Sequence, residues 1–405
     1  MNIRLAFNNI FRSGTRSMIT LAAIAMGCVA VILAGGFIED AITGIREQYI
    51  NSFLGHIQIA RRGYFEKGLA QPFDFMISDS DRLTRLLATV PHVRRVAPRL
   101  QFFGLMGSGD ATLAFMAQGV SPEAESFPAE NLPEGRNLDG RDSNQVVLGA
   151  GLAKALGANV GSSVTLLAST KTGGINGMDV TVKGISATAS KDYDDRSVRL
   201  PLKMAQRVLR TDEVQTVTLY LDRTENTDAV AAEIERRLRG ETPPLEVRPW
   251  HELSGADFVV KLVGFYAGLF RVFRIIIIAV VVLGIFNTMN MAVLERVGEI
   301  GTLMAMGTTR ANVIGLFLAE GLILGAIGGL IGLAAGDVLA RIISEIGIPM
   351  SSPGTTIAWV AKIAIVPRIF AGAYAMSLGA ALFSSVYPAV KASRLEIAEA
   401  LRHNV

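Results

Sequence analysis

Residues that could carry chemistry are few and scattered in this chain of 405 residues. Its four histidines, His56, His92, His251 and His403, include no pair with the spacing of metal ligands. The single cysteine, Cys28, excludes a disulfide within the chain. Neither the phosphate-binding pattern G-x-x-x-x-G-K-[ST] nor the nucleophile pattern G-x-S-x-G occurs. The sequence therefore predicts no catalytic, cofactor-binding or metal-binding residue, and it favours a protein that is not itself an enzyme.

One short charged segment is patterned enough to suggest a function. It reads Glu295-Arg296-Val297-Gly298-Glu299-Ile300-Gly301-Thr302-Leu303-Met304-Ala305-Met306-Gly307. Val297, Ile300 and Met304 share one helical face, and Glu295, Arg296 and Glu299 supply charge. This pattern predicts a short amphipathic helix at a membrane surface. The alternative is a turn between two spans whose charges stay in water.

Two carboxylates, Glu320 and Asp337, lie in an otherwise apolar run. An ionised carboxylate inside a membrane costs about 3 kcal/mol. Glu320 is either a proton or substrate site, or a structural residue that is hydrogen-bonded near the interface or against another helix. The structural interpretation is favoured, because Glu320 lies only about two helical turns inside the run.

Four apolar runs are long enough to cross a bilayer, which takes about 20 helical residues. They cover residues 17–38, 275–294, 313–339 and 369–390. The first run is longer than the apolar part of a cleaved signal peptide. The formal net charge of +3 is too small to indicate a nucleic-acid partner. The chain is therefore predicted to be an integral membrane protein in contact with the lipid bilayer.

Arginine and lysine residues indicate the orientation, because cytoplasmic segments carry an excess of both. Positive charge precedes the first run, occupies the segment 295–312 and follows the fourth run in the tail 391–405. Both termini are therefore predicted to be cytoplasmic, including the N-terminal segment 1–16. The loop 340–368 and the large segment 39–268 are then on the other side.

The segment 39–268 has the patterning of a soluble domain. Ser78 is predicted to cap a helix that ends at Pro91, and a second helix is predicted from about Asn226-Thr227. The alternating stretch Thr216–Leu221 predicts a half-buried strand. The fold class predicted is a membrane α-helical bundle with a large α+β extracytoplasmic domain. That domain is expected to have an α+β lobe split across the sequence and a β-rich lobe inserted at about 121–205.

A glycine-rich stretch, Ser169 to Asp179, joins two predicted strands within the inserted lobe. It is predicted to be a protruding hairpin tip, which is either a flexible loop or a partner-binding site. The candidate binding residues are Lys171, Gly173, Gly174 and Asn176.

Small residues recur every fourth position in the third apolar run. The two rows are Gly321, Gly325, Gly329 and Gly328, Gly332, Gly336. Such spacing lets helix backbones approach closely. Packing within the bundle is the favoured use, and a seam between two copies is the alternative.

The segment 295–307, with its pattern E-R-x-x-E-I-G-x-L-x-A-x-G, resembles the coupling segment of MacB/FtsX-type permeases of ABC transporters. Leu318-Ala319-Glu320-Gly321-Leu322 and the ending from Tyr387-Pro388-Ala389 to Glu399-Ala400-Leu401-Arg402 are also similar to that family, as is the opening Asn9-Ile10-Phe11-Arg12. Chain length and Gly55-His56-Ile57-Gln58-Ile59 look most like the lipoprotein-releasing branch.

This resemblance implies a subunit of the bacterial inner membrane, with a porter-like lobe in its periplasmic domain. It also implies a partner ATPase dimer that binds ATP, a second permease copy or paralogue, and a periplasmic carrier or adaptor. Contact with the ATPase would fall on Glu295, Arg296, Val297, Glu299, Ile300, Gly301, Met304 and Gly307. The hairpin at 169–179 falls where the branch can carry a chaperone-binding hook, but it lacks proline.

Four functions stay open at this point. The preferred one is lipoprotein or lipid extraction, with macrolide or peptide efflux as the alternative transport function. A mechanical scaffold that activates a periplasmic hydrolase is a different class, and a membrane-anchored receptor without an ATPase is another. The substrate, and whether the partner permease is identical, do not follow from the sequence.

Overall fold

A computed structural model describes residues 14–68, 70–123, 132–140, 144–188, 190–351 and 358–394. The family-like opening at 9–12 and the ending at 399–402 lie outside these ranges. The chain divides into two compact units. The first, called the bundle here, comprises residues 1–42, 263–349 and 360–405. The second, called the globular unit, comprises residues 43–262 and 350–359.

Eleven α-helices lie within the described residues. They are α1 (Gly14–Tyr49), α2 (Tyr64–Lys67), α3 (Ser80–Ala88), α4 (Ala150–Leu156), α5 (Lys191–Asp194), α6 (Leu202–Leu209), α7 (Thr227–Leu238), α8 (Asp257–Glu295), α9 (Val297–Ala305), α10 (Arg310–Ile346) and α11 (Pro367–Ser393).

The same residues contain twelve strands. They are β1 (Ile57–Arg61), β2 (Val93–Ser108), β3 (Ala111–Val120), β4 (Glu134–Gly135), β5 (Gln145–Gly149), β6 (Ser163–Ser169), β7 (Ile175–Ser186), β8 (Ser197–Pro201), β9 (Thr216–Leu221), β10 (Leu245–Pro249), β11 (Ile348–Ser351) and β12 (Ala358–Ala361).

Four helical segments among the described residues are long and apolar enough to cross a membrane. They are Ser17–Leu54, Val259–Glu295, Arg310–Ile346 and Pro367–Ser393. Each contains one of the predicted apolar runs, and each is longer than that run. α1 continues to Tyr49, so the segment after residue 38 starts as helix. Once a helix is nucleated, polar residues extend it at little cost, and helix length therefore exceeds bilayer thickness.

Helix α10 packs against two neighbours through its two glycine rows. A Cβ atom at Gly325 would lie 2.6 Å from the Cβ of Ala381 on α11, and one at Gly332 would lie 2.5 Å from the Cβ of Cys28 on α1. Such distances are too short for real carbon atoms. The first row therefore permits contact with α11, and the second permits contact with α1.

Ten strands of the globular unit form one sheet, in the order β10-β1-β9-β2-β3-β8-β5-β7-β4, with β6 paired to β2 and β7. Two large hydrophobic cores lie along it, together with a small cluster around Val147. One includes Ile59 and Ile234, and the other includes Leu100 and Leu166. The long strand β2 contributes to both cores. The second core includes residues of β2 and β3. Both strands precede the predicted insertion at 121–205, so this core is not confined to that range.

Several local predictions need correction. The cap of α3 is Asp79, whose carboxylate accepts from the backbone N–H of Arg82 at 3.1 Å, and not Ser78. That helix ends at Ala88, before Pro91. Strand β9 has the predicted bounds, but all six of its residues are buried. It lies between β1 and β2, so neighbouring strands flank both of its edges.

The hairpin at 169–179 is mostly strand. β6 runs to Ser169 and β7 starts at Ile175, which leaves only residues 170–174 as a turn. Gly173 has φ +86°, a backbone conformation that favours glycine. The backbone N–H of Lys171 donates to Leu209 at 3.0 Å, and Asn176 Nδ2 donates to Val208 at 2.9 Å. The predicted protruding tip is therefore bound back to α6.

Candidate functional site

The patterned segment 295–307 forms a short helix between two membrane-length helices. α8 ends at Glu295, Arg296 lies between the two helices, and α9 runs from Val297 to Ala305. Gly307 then adopts φ +95°, which glycine accommodates without strain. The Thr309 side chain caps α10 by accepting from the backbone N–H of Asn312. α9 is thus separated from α8 by Arg296 and from α10 by residues 306–309.

One face of α9 is buried in the bundle. Ile300 is 4% exposed and belongs to a cluster with Val313, Phe317 and Ala389. Met304 is partly buried and packs against the same cluster. Gly298 and Gly301 are also buried. The prediction that the apolar face points away to a partner is therefore wrong for Ile300, which anchors α9 to its own bundle.

An ion pair holds the start of α9 to α10. Arg296 Nη1 donates to Glu320 Oε1 at 3.0 Å and to Oε2 at 3.4 Å. The Glu320 side chain is 7% exposed, and that of Arg296 is 18% exposed. Arg296 Nε also lies 3.7 Å from Glu299 Oε2. Glu320 is thus buried and paired with a cation, as the structural interpretation requires, and Arg296 points toward α10 instead of outward.

The other face of α9 is open. Glu299, Thr302, Leu303, Ala305 and Met306 are exposed there, Leu303 by 37% and Met306 by 71%. Met306 directly follows α9 as its C-cap, three residues after Leu303, so both side chains are exposed at the C-terminal end of the helix. The exposed face therefore combines two apolar side chains with one carboxylate. Periodicity alone had assigned Leu303 and Met306 to neither the apolar nor the charged set.

A buried histidine organises one edge of the globular unit. His56 is 4% exposed, and its Nδ1 accepts from the backbone N–H of Leu221 at 3.2 Å. Its Nε2 lies 3.1 Å from Thr224 Oγ1, which donates to Glu47 Oε1 at 2.7 Å. Burial lowers the pKa of His56, because the charged form would be desolvated. The imidazole is therefore neutral, with its proton on Nε2.

No group of three or more His, Cys, Asp or Glu side chains in the described part of the chain is arranged to hold a metal ion. The predicted site residues fall into three separate places. The segment 295–307 forms α9 and its flanking turns, the two glycine rows lie along α10, and residues 171–176 span the β6–β7 turn and the first two residues of β7.

Comparison with known families identifies the class of the protein. The family model of the MacB-like periplasmic core domain matches residues 17–237, more than half of the chain. The model of the FtsX-like permease C-terminal region matches residues 271–397. The chain therefore belongs to the MacB/FtsX family of ABC transporter permeases.

Individual relatives are distant but extensive. The lipoprotein-releasing system transmembrane protein LolC of Neisseria meningitidis serogroup B is 25% identical, over 96% of this chain and 94% of its own length. The macrolide export ATP-binding/permease protein MacB of Chlorobium luteolum is 24% identical, over 99% of this chain and 60% of its own length. The crystal structure of the periplasmic region of MacB from Actinobacillus actinomycetemcomitans matches 53% of this chain at a TM-score of 0.37, too low for an argument about fold.

Proposed function

We propose that this chain is the permease subunit of an ABC transporter that extracts lipoproteins or lipids from the bacterial inner membrane. A separate ATPase dimer binds and hydrolyses ATP on the cytoplasmic side. The exposed face of α9 receives its movement, the bundle transmits it, and the globular unit moves its cargo in the periplasm. These 405 residues contain no phosphate-binding pattern G-x-x-x-x-G-K-[ST], and in this proposal the partner binds the ATP.

The observation that supports coupling most directly is the combination of a fixed and an open face on α9. A helix that transmits force needs a rigid attachment to the bundle, which Ile300 and the Arg296–Glu320 pair provide. It also needs a surface for the partner, which Leu303, Met306 and Glu299 offer. A well-packed side chain buried at the centre of an interface can contribute about 2 kcal/mol or more.

The choice of cargo depends on the relatives. A protein named for lipoprotein release is aligned over nearly its full length. A protein named for macrolide export is aligned over nearly all of this chain as well. Macrolide or peptide efflux is therefore the second candidate. We rank the lipoprotein function first on the alignment with the LolC relative, and in this proposal a second permease copy or paralogue and a periplasmic carrier complete the assembly.

Met306→Asp tests the coupling proposal. A charge at this position would meet the apolar partner surface without a counter-ion. We expect the chain to remain folded in the membrane, to lose its ATPase in pull-down assays, and to lose stimulated ATP hydrolysis. Ile175→Asp is the matched control, because Ile175 is also an exposed apolar residue, 79% accessible, and lies on β7. Equal ATPase recovery with both variants would contradict the assignment of α9.

Cargo is tested separately with the intact complex in proteoliposomes. A radiolabelled acylated lipoprotein should be released into the soluble fraction in an ATP-dependent way, and a labelled macrolide should not be transported. ATP-dependent macrolide transport without lipoprotein release would select the second candidate. ATP-dependent activation of an added periplasmic hydrolase, with neither cargo moved, would select the mechanical scaffold.

A further inference from the structure

A cavity of about 460 Å³ lies within the globular unit. Its volume falls within the range of roughly 300–1,000 Å³ that is typical of ligand sites. Residues of β1, β2, β3 and β9 line it, together with the end of α1, helix α2 and the segments around Ser190 and Ser254. None of the contacts described for coupling involves it.

Aromatic rings form much of the cavity wall. Tyr49, Phe53, Tyr64, Phe65 and Tyr193 all line it. Phe53 and Tyr193 stack edge to face with ring centroids 4.3 Å apart, and Tyr49 packs on Phe53 at 5.5 Å. Burial raises the pKa of Tyr64 to about 12, so its hydroxyl stays protonated. The rings of Tyr49, Phe53 and Tyr193 thus pack on one another, and aromatic side chains are frequent anchors in interfaces.

Three glutamines contribute primary amides to the same cavity. Gln58 comes from β1, Gln101 from β2 and Gln118 from β3. Gln101 and Gln118 are directly opposite each other in the antiparallel pairing of β2 with β3. The Oε1 atom of Gln118 is buried and has no hydrogen-bond partner within the described residues. An unpaired buried acceptor of this kind costs free energy unless a donor approaches it.

The charge of the lining excludes some ligands. Among the described residues that line the cavity, Arg99 is the one with a charged side chain. Arg99 is 3% exposed and donates from Nη1 to the carbonyl of Phe53 and from Nη2 to Tyr220 Oη at 2.5 Å. A cationic ligand would approach the buried guanidinium of Arg99, which disfavours a second positive charge nearby. Neutral or acidic ligands fit the site.

The amides exclude a pure hydrocarbon chain as the preferred ligand, because such a chain would desolvate them without supplying hydrogen bonds. A peptide backbone supplies both donors and acceptors to primary amides. Its side chains can at the same time contact the aromatic rings. The lining thus matches a peptide better than a fatty acyl chain.

The sheet face that carries Gln101 continues beyond the cavity. Phe103 and Leu105 follow on the same face of β2, because side chains alternate along a strand. Leu167 of β6 is directly opposite Leu105. These side chains are 52%, 48% and 38% exposed, in that order. A ligand longer than the cavity would therefore lie on apolar surface where it leaves.

We propose that this cavity binds an extended, neutral or acidic peptide segment with apolar side chains. The inference rests on the proposed export function in one respect, since the segment would belong to the exported polypeptide. For a lipoprotein it would be the stretch of chain that follows the acylated residue. The aromatic wall contacts the side chains, and Gln101 and Gln118 hydrogen-bond the backbone.

The test is direct binding to the full-length protein in nanodiscs without an ATPase. The probe is a fluorescein-labelled neutral octapeptide of Ser, Gly, Leu and Val. The double variant Gln101→Leu/Gln118→Leu should lose roughly tenfold in peptide affinity, the effect of one to two lost hydrogen bonds. The same variant should bind dansyl-undecanoic acid, a hydrocarbon probe, more tightly than the wild type does. Gln71→Leu is the matched control, because Gln71 is exposed and does not line the cavity.

A second measurement covers the case in which the double variant does not fold. Phe65→p-benzoylphenylalanine should cross-link the octapeptide on illumination, and unlabelled peptide should compete. Equal peptide affinity in the wild type and a folded double variant would overturn the proposal. So would tighter binding of a lysine-containing octapeptide, or cross-linking that does not saturate. Because no ATPase is present, this result is independent of the α9 experiment.

Discussion

The ion pair between Arg296 and Glu320 gives a sharp test of how α9 is held. In Glu320→Leu, the guanidinium of Arg296 keeps its charge but loses the carboxylate at 3.0 Å. Removing one partner of a buried pair costs about 3–5 kcal/mol. Arg296 is 18% exposed and has Glu299 at 3.7 Å. We therefore expect the lower end of that range, about 3 kcal/mol.

Two companion variants separate charge from packing. Glu320→Gln keeps an oxygen that can accept from Arg296, so we expect a loss of about 1 kcal/mol and retention of most transport. The double variant Arg296→Met/Glu320→Leu replaces both ions by apolar groups. It should recover to within about 1 kcal/mol of the wild type, because no charge is left unpaired.

The assay is the free energy of unfolding of the purified full-length chain in mixed micelles, analysed as a double-mutant cycle. Asp337→Leu is the control. Asp337 pairs with Arg341 at 2.8 Å on the same helix, but those side chains are 34% and 62% exposed. An exposed pair contributes at most about 1 kcal/mol. If Glu320→Leu were no more destabilising than Asp337→Leu, or if the cycle were additive, the pair would not hold α9.

Three further outcomes follow from the structure. Gly325→Leu should prevent the contact of α10 with α11 and so prevent the bundle from folding. Gly379→Leu should be tolerated, because a Cβ at Gly379 meets nothing within 4 Å. Size-exclusion chromatography in detergent should show aggregation of the first variant and a single peak for the second. The free energy of unfolding of the globular unit should fall as the pH drops through about 6.5, the ordinary pKa of histidine. The pKa of His56 is lowered in the folded state, so below this pH the unfolded state binds more protons than the folded state does. His56→Asn should flatten this pH dependence, which hydrogen exchange at several pH values would measure. In a chain without its native cysteine, an impermeant thiol reagent on spheroplasts should label a cysteine placed at Arg223 but not one at Arg310; labelling at Arg310 would reverse the predicted orientation.

Periodicity in the sequence was enough to locate elements, because it depends on local geometry. The run at 295–307 predicted a helix, and α9 occupies that segment. The same pattern could not predict whether a partner protein or the protein's own bundle covers the apolar face of α9. An apolar stripe is satisfied equally by a partner protein or by the protein's own bundle. Ile300 is buried against Val313 and Phe317. These two residues lie outside the patterned segment, on α10, and meet Ile300 only in the folded bundle.

Strand β9 also shows that periodicity does not predict which residues on the second face of an element are buried. Its alternation marked Val217 and Leu219 as buried, and both are. It could not show that Thr218 is also buried, because that depends on Gly55, where a Cβ atom would collide with the Thr218 methyl group. A small polar side chain can be enclosed when the segment opposite it carries no side chain. Burial of the second face is thus decided by residues about 160 positions away in the chain, as the fold brings them together.

The peptide cavity could not have been found from any spacing in the sequence. Gln58, Gln101 and Gln118 lie on three strands, and only the pairing of β2 with β3 brings two of them opposite each other. Glutamine carries no charge and forms no recognised motif. Its significance appears only when a buried acceptor is left without a donor, as at Gln118. A native protein keeps such an atom at a cost in stability, which a bound donor would remove. In the proposed complex a ligand N–H group pairs with this acceptor, and a peptide backbone presents such a group at nearly every residue.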